Sequence, residues 1–144
     1  MAQETVVKEQ LTPWAMLAGL ELTKRLRETD FDLVCSLWLY SSDSNSWRLI
    51  LASPRVETEG ALHSYERIRK ILASGGPEAD LWASYAIEVV RTNIPLVSAI
   101  QSLGTFEIPD LPPGPAPRIL VPKRVHMANI DGIFIEDSYI YFIR

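Results

Sequence analysis

The feature that most constrains this chain is a pair of apolar segments between Asp32 and Pro54, DLVCSLWLYSSDSNSWRLILASP. In the first segment, large apolar side chains fall at both odd and even positions, which predicts a strand covered on both faces. Ser41 to Ser46 are small and polar, as is typical of turns. The apolar run resumes at Trp47 and ends before Pro54. We therefore predict a β-hairpin in the interior of a sheet, with Trp38 and Trp47 facing each other across it.

Three helices are predicted around this hairpin. Thr12 followed by Pro13 is a helix-start signature and predicts a helix over 13–28. Apolar residues at helical spacing predict an amphipathic helix over 61–73, which is preceded by an irregular connector over 55–60. A third helix is predicted over 95–103, because Pro95 follows a polar break.

The remaining segments are predicted to be strands and connectors. Residues 80–91 fit a period of two and are predicted to be a strand, although the alanine-rich stretch also suits a helix. Residues 104–117 form a proline-rich connector. Strands are predicted over 119–127, 133–136 and 139–143, with turns over 129–132 and 136–138.

Together these elements predict an α+β fold, with a mostly antiparallel sheet of about five strands and two or three helices packed on it. A length of 144 residues suits a single globular domain over 1–144, in which residues 1–11 are expected to be flexible. The single cysteine, Cys35, cannot form an intramolecular disulfide and lies in an apolar strand, where we expect an inert thiol. We expect a cytoplasmic protein, because no signal peptide or membrane span is evident.

The net charge of −4 argues against nucleic acid as a partner, since most of the surface would repel phosphate groups. A local basic patch remains an open alternative if the second helix and the C-terminal strands share a face. Its members would be Arg55, Arg67, Arg69, Lys70, Arg118, Lys123 and Arg124.

Polar residues on the C-terminal hairpin are the nearest approach to a catalytic group. The candidates are Lys123, His126, Asp131, Glu136 and Asp137. Carboxylates and a lysine on adjacent strands suit a metal-dependent hydrolase or nuclease, but the acid-x-Lys element that would hold the metal is absent. His63 and His126 are far apart in sequence, so no metal site is predicted. Glycine-rich nucleotide motifs are also absent, and no cofactor is indicated.

The function that the sequence favours is a non-catalytic interaction or assembly module, with a homo-oligomer or another protein as partner. The first half of the first helix is apolar nearly all round, whereas a surface helix needs only one apolar stripe. The final strand is also apolar. The predicted interface residues are Trp14, Leu17, Tyr139 and Tyr141. A third possibility is a small-ligand sensor whose pocket is lined by Trp38, Trp47 and Tyr85.

Overall fold

The structure is a computed structural model that describes residues 7–76, 78–109 and 120–144. The helices of these residues are α1 (Pro13–Arg27), α2 (Pro54–Glu59), α3 (Ala61–Ala73), α4 (Leu81–Ser84) and α5 (Pro95–Gln101). The strands are β1 (Cys35–Ser41), β2 (Ser46–Ala52), β3 (Ala86–Val90), β4 (Phe106–Glu107), β5 (Lys123–Ile130) and β6 (Ile133–Ile143). The α+β class is confirmed, whereas six strands and five helices match the predicted counts only roughly. None of these helices is long and apolar enough to cross a membrane.

All six strands belong to one mixed sheet. Its order is β3-β2-β1-β6-β4, and β5 also pairs with β6, beyond the end of β4. Only β2 and β3 are parallel, and their crossover carries α2, α3 and α4. Strand β1 lies between β2 and β6, so the predicted hairpin is in the interior of the sheet.

Both faces of the hairpin are covered, as predicted. On one face, α1 and α3 pack against residues such as Trp38, Leu49 and Leu51. On the other face, α5 packs against Leu37 and Ile50 among others. Because side chains alternate across a strand, the large apolar residues at odd and even positions of β1 supply both cores.

Helix α1 begins where the sequence predicts and approaches the sheet closely at Gly19. The Thr12 side chain accepts a hydrogen bond from the Ala15 amide at 3.1 Å and caps the helix. A Cβ atom at Gly19 would lie 2.6 Å from the Tyr141 hydroxyl and 2.8 Å from Trp38 Nε1. Glycine is therefore required for this packing distance.

Two predictions for the C-terminal half of the chain were wrong. The predicted turn over 136–138 lies inside β6, a single strand of eleven residues. Asp137 resembles a turn residue but is buried and paired with cations, and the Ser138 hydroxyl donates to the Trp38 carbonyl at 2.8 Å. The predicted connector over 104–117 includes the short strand β4, and its residues 110–117 lie outside the described residues.

Other differences lie between the hairpin and α5. Residues 55–60 were predicted to be an irregular connector, but Pro54–Glu59 form the helix α2. Ser53 caps this helix by accepting a hydrogen bond from the Arg55 amide at 3.0 Å. Only the second half of the predicted strand over 80–91 is a strand, because β3 begins where its pairing with β2 begins and α4 precedes it. In the hairpin register, Trp38 faces Leu49 and Trp47 faces Tyr40, so the two tryptophans are not a cross-strand pair.

Candidate functional site

The predicted catalytic candidates have different surroundings. The Lys123 ammonium lies 5.8 Å from the centre of the Phe106 ring. His126 is exposed on the edge strand β5, and Asp131 is exposed at the tip of the β5–β6 turn. The side chain of Glu136 accepts from the Ser42 amide at 3.0 Å and from the Ser42 hydroxyl at 2.8 Å.

Metal-ligating side chains are also dispersed. His63 lies on α3, where its Nε2 atom is 3.8 Å from a carboxylate oxygen of Glu59, and His126 lies on β5. In residues 7–76, 78–109 and 120–144, no group of three or more histidine, cysteine, aspartate or glutamate side chains is arranged to hold a metal ion.

Asp137 differs from the other candidates because its side chain is only 1% exposed and both of its carboxylate oxygens accept hydrogen bonds. Arg124 donates to both oxygens, from Nε to Oδ1 at 3.1 Å and from Nη2 to Oδ2 at 2.9 Å. Lys8 donates to Oδ2, and the Ser138 amide donates to Oδ1 at 2.9 Å. Burial alone would raise the pKa of Asp137, but the hydrogen bonds and charges of Arg124 and Lys8 outweigh it and lower this pKa.

The Lys8 ammonium also lies over two aromatic rings. It is 4.7 Å from the centre of the Tyr40 ring and 5.3 Å from that of Trp47. These two rings are themselves 5.3 Å apart and inclined at 51°, so they form two walls of a corner. We call Tyr40, Trp47 and Asp137 the cation cage. Ring faces attract cations within about 6 Å, and a carboxylate adds a charged hydrogen-bond acceptor.

Residues 7–10 close the cation cage without forming a helix or strand. The Asn45 side chain accepts from the Glu9 amide at 2.8 Å and donates to the Val7 carbonyl at 3.1 Å. The Trp47 indole N–H donates to the Glu9 carbonyl at 2.9 Å. Lys8 and Asp137 are 129 positions apart, so no local sequence pattern could have indicated their contact.

A second surface feature lies on α1 and α4, two helices that contact each other. Trp14 and Leu17 of α1 are 38% and 43% exposed, and Trp82 of α4 is 42% exposed. Trp14 is stacked on Tyr85, with the ring centres 6.4 Å apart. We call Trp14, Leu17 and Trp82 the α1–α4 surface. The sequence segments that carry these residues, 11–20 and 81–87, contain no charged side chain.

The other predicted interface residues are less accessible. Tyr141 is 1% exposed, accepts a hydrogen bond from the Trp38 indole at 2.7 Å and donates one to the Met16 carbonyl at 2.6 Å. Burial raises the pKa of Tyr141. Tyr139 is half-buried beside the cation cage, 5.4 Å from Trp47 between ring centres. Of the four predicted residues, Trp14 and Leu17 therefore present the most accessible apolar surface.

The three aromatic residues of the predicted ligand pocket belong to two different groups. Trp38 is fully buried and contacts Tyr85 edge to face at 5.1 Å, whereas Trp47 is part of the cation cage. A cleft of about 280 Å³ lies elsewhere, between α1 and the end of β6. Its lining includes Lys24, Arg27, Glu107 and Phe142. Arg27 lies over the Phe142 ring at 4.1 Å and pairs with Glu107, and this contact lowers the pKa of Glu107.

Several members of the predicted basic patch are paired with carboxylates. Arg67 forms ion pairs with Asp30 and Glu59, and Arg55 lies 3.2 Å from Glu59. The Arg67 hydrogen bond and charge lower the pKa of Asp30. Arg124 pairs with Asp137, Arg69 and Lys70 are exposed on α3, and Arg118 lies outside the described residues.

Cys35 lies within the core formed with α5. Burial raises the pKa of its thiol to about 12. A thiol with this pKa is protonated at neutral pH and is a poor nucleophile.

Comparisons with protein-family models, with curated proteins and with solved structures found no match to this chain.

Proposed function

We propose that this chain is a non-catalytic interaction module that assembles with a second copy of itself through the α1–α4 surface. The observation that carries this proposal is the exposure of two neighbouring apolar side chains of α1, Trp14 and Leu17, with a third exposed side chain, Trp82, on the contacting helix α4. Isolated exposed apolar side chains are common, but clustered ones mark contact sites. Trp14 and Leu17 are three positions apart on α1 and are therefore neighbours on one helix face.

The charge distribution favours a second copy as the partner. The chain has a net charge of −4, so two copies repel each other over much of their surface. Residues 11–20 and 81–87 are uncharged, so two copies can bring Trp14 and Leu17 together without placing like charges at the centre of the contact, while Arg69 lies beside Trp82 at its margin. A two-fold axis would bring the same surface of each copy into contact, which is the commonest arrangement of homodimers.

The composition of the surface also suits a contact. Aromatic residues are enriched and charged residues depleted at the centres of protein interfaces. Tryptophan is among the residues that most often contribute large binding energies there. Trp14 is held in place by its stacking on Tyr85, so binding would cost little side-chain entropy.

Sedimentation equilibrium of the whole chain at tens of micromolar tests this proposal, and a dimer is the expected result. Leu17→Glu should weaken the dimer about a hundredfold, since two like charges would be placed in an apolar contact at a cost of about 2.7 kcal/mol. The matched control is Met127→Glu, an equivalent change at an exposed residue of β5, which should leave the dimer unchanged. A monomeric wild-type chain, or a Leu17→Glu variant as dimeric as the wild type, would refute the proposal.

A further inference from the structure

We propose that Tyr40, Trp47 and Asp137 form a binding site for an alkylammonium group, and that Lys8 of the same chain occupies it. The cation cage has the three components such a site needs: two ring faces and a carboxylate that all contact one ammonium nitrogen. It shares no residue with the α1–α4 surface. The inference is therefore independent of the proposed self-association.

The site remains charged and ordered without Lys8. Arg124 bonds both oxygens of Asp137, and the Ser138 amide bonds one of them. The carboxylate would therefore stay ionised when Lys8 leaves. Tyr40 donates its hydroxyl proton to the Asn45 side chain at 2.6 Å, and Trp47 contacts Tyr139, so both rings are also held by groups other than Lys8.

Lys8 is the removable part of this arrangement. Its side chain is 34% exposed, whereas that of Asp137 is 1% exposed. It belongs to a segment without helix or strand, attached to the hairpin by a few hydrogen bonds at Asn45 and Trp47. Segments with so few contacts open locally at a much lower free energy than the core.

The contact with Asp137 defines which ammonium groups fit. Lys8 donates a hydrogen bond to Oδ2, so a ligand must carry at least one N–H to replace it. Primary, methylated and dimethylated ammonium groups meet this condition. A trimethylated group has no N–H and would leave the buried carboxylate without that bond, which is costly.

Tethering makes Lys8 a strong competitor. A group on a short tether has an effective concentration on the order of millimolar at its site. A free amine must displace Lys8. The apparent affinity of the amine is therefore its affinity for the open cage multiplied by the fraction of cages that are open. We expect Lys8→Ala to bind a small alkylammonium with a dissociation constant on the order of 1 mM, at least about twofold more tightly than the wild type, in which Lys8 competes at a similar effective concentration.

The test is a titration of the whole chain with n-butylammonium, followed by NMR of the tryptophan indole N–H groups. The Trp47 indole donates to the Glu9 carbonyl beside the cage and should shift, whereas that of Trp38 donates to Tyr141 in the core and should not. The same titration with n-butyltrimethylammonium, which has the same stem but no N–H, should give at least about tenfold weaker binding.

Two substitutions at Tyr40, made in the Lys8→Ala background, provide matched controls. Tyr40→Phe keeps the ring and should retain binding, whereas Tyr40→Leu removes one wall and should weaken it about fivefold. The proposal is overturned if n-butylammonium does not shift the Trp47 signal of Lys8→Ala, if both amines bind equally, or if Tyr40→Leu binds as well as Tyr40→Phe.

Discussion

Two aromatic groups lie on the same face of the same hairpin and differ in what covers them. Trp38 and Tyr40 are two positions apart on β1 and therefore point to the same side of the sheet. Trp38 is covered by α1 and hydrogen-bonded to Tyr141, which is bonded in turn to the Met16 carbonyl of that helix. Tyr40 is covered by residues 7–10 through Lys8. Strand β1 contributes to both groups. The segment that covers each group, α1 or residues 7–10, determines whether solvent or a ligand can reach it.

The helix-covered group tolerates no added volume, and Gly19→Ala tests this most severely. A new Cβ atom would lie within 3 Å of both Tyr141 and Trp38. Overpacking of this kind costs up to about 3 kcal/mol, while alanine gains about 1 kcal/mol in helix propensity, so a net loss of about 2 kcal/mol is expected. Urea unfolding measures it. A Gly19→Ala variant more stable than the wild type would show that α1 can move away from the sheet.

The aromatic group covered by residues 7–10 is stabilised instead by the ion pairs of Asp137. Asp137→Asn should therefore lower the free energy of unfolding by about 1.5 kcal/mol near neutral pH. Because the folded-state pKa of Asp137 is lowered, its contribution is complete above the unfolded pKa of about 3.9. It is lost as the pH falls through the folded-state value. The difference between variant and wild type should therefore shrink in acid.

The comparison with Asp137→Asn is needed because other carboxylates also lose stabilising contacts in acid. The pKa values of Asp30, Glu57 and Glu107 are lowered as well, mainly by hydrogen bonds from Arg67, Thr92 and Arg27. These contributions are common to both proteins and cancel in the difference. A difference that stays constant from pH 7 to acid would contradict the assigned ion pairs of Asp137.

Much of the fold could be predicted because the decisive signals are local. Apolar residues at both odd and even positions of β1 required cover on both faces, and the signature of Thr12 and Pro13 placed the start of α1 correctly. Ser53 and Pro54 form the same type of signature, which would have identified α2. The short helix α4 and the start of β3 could not be separated, because the pairing with β2 decides where the strand begins.

The site was less predictable because its contacts are distant in sequence. Asp137, one of two acidic residues in the predicted turn, is buried within a strand because Arg124 and Lys8 neutralise its charge. That neutralisation is a tertiary effect that no window of neighbouring residues contains. In contrast, the exposure of Trp14 and Leu17 could be expected from the sequence. The first half of α1 has more apolar residues than the single stripe that packs a surface helix onto a core.

Hydrogen exchange of the tryptophan indole groups tests most directly whether residues 7–10 are a removable cover. Both indoles are hydrogen-bonded in the native chain, Trp38 to Tyr141 and Trp47 to the Glu9 carbonyl. Trp38 should exchange only when the whole chain unfolds, whereas Trp47 should exchange by local release of residues 7–10, at least about a hundredfold faster. Equal protection of the two indoles, with the same dependence on urea, would contradict this account.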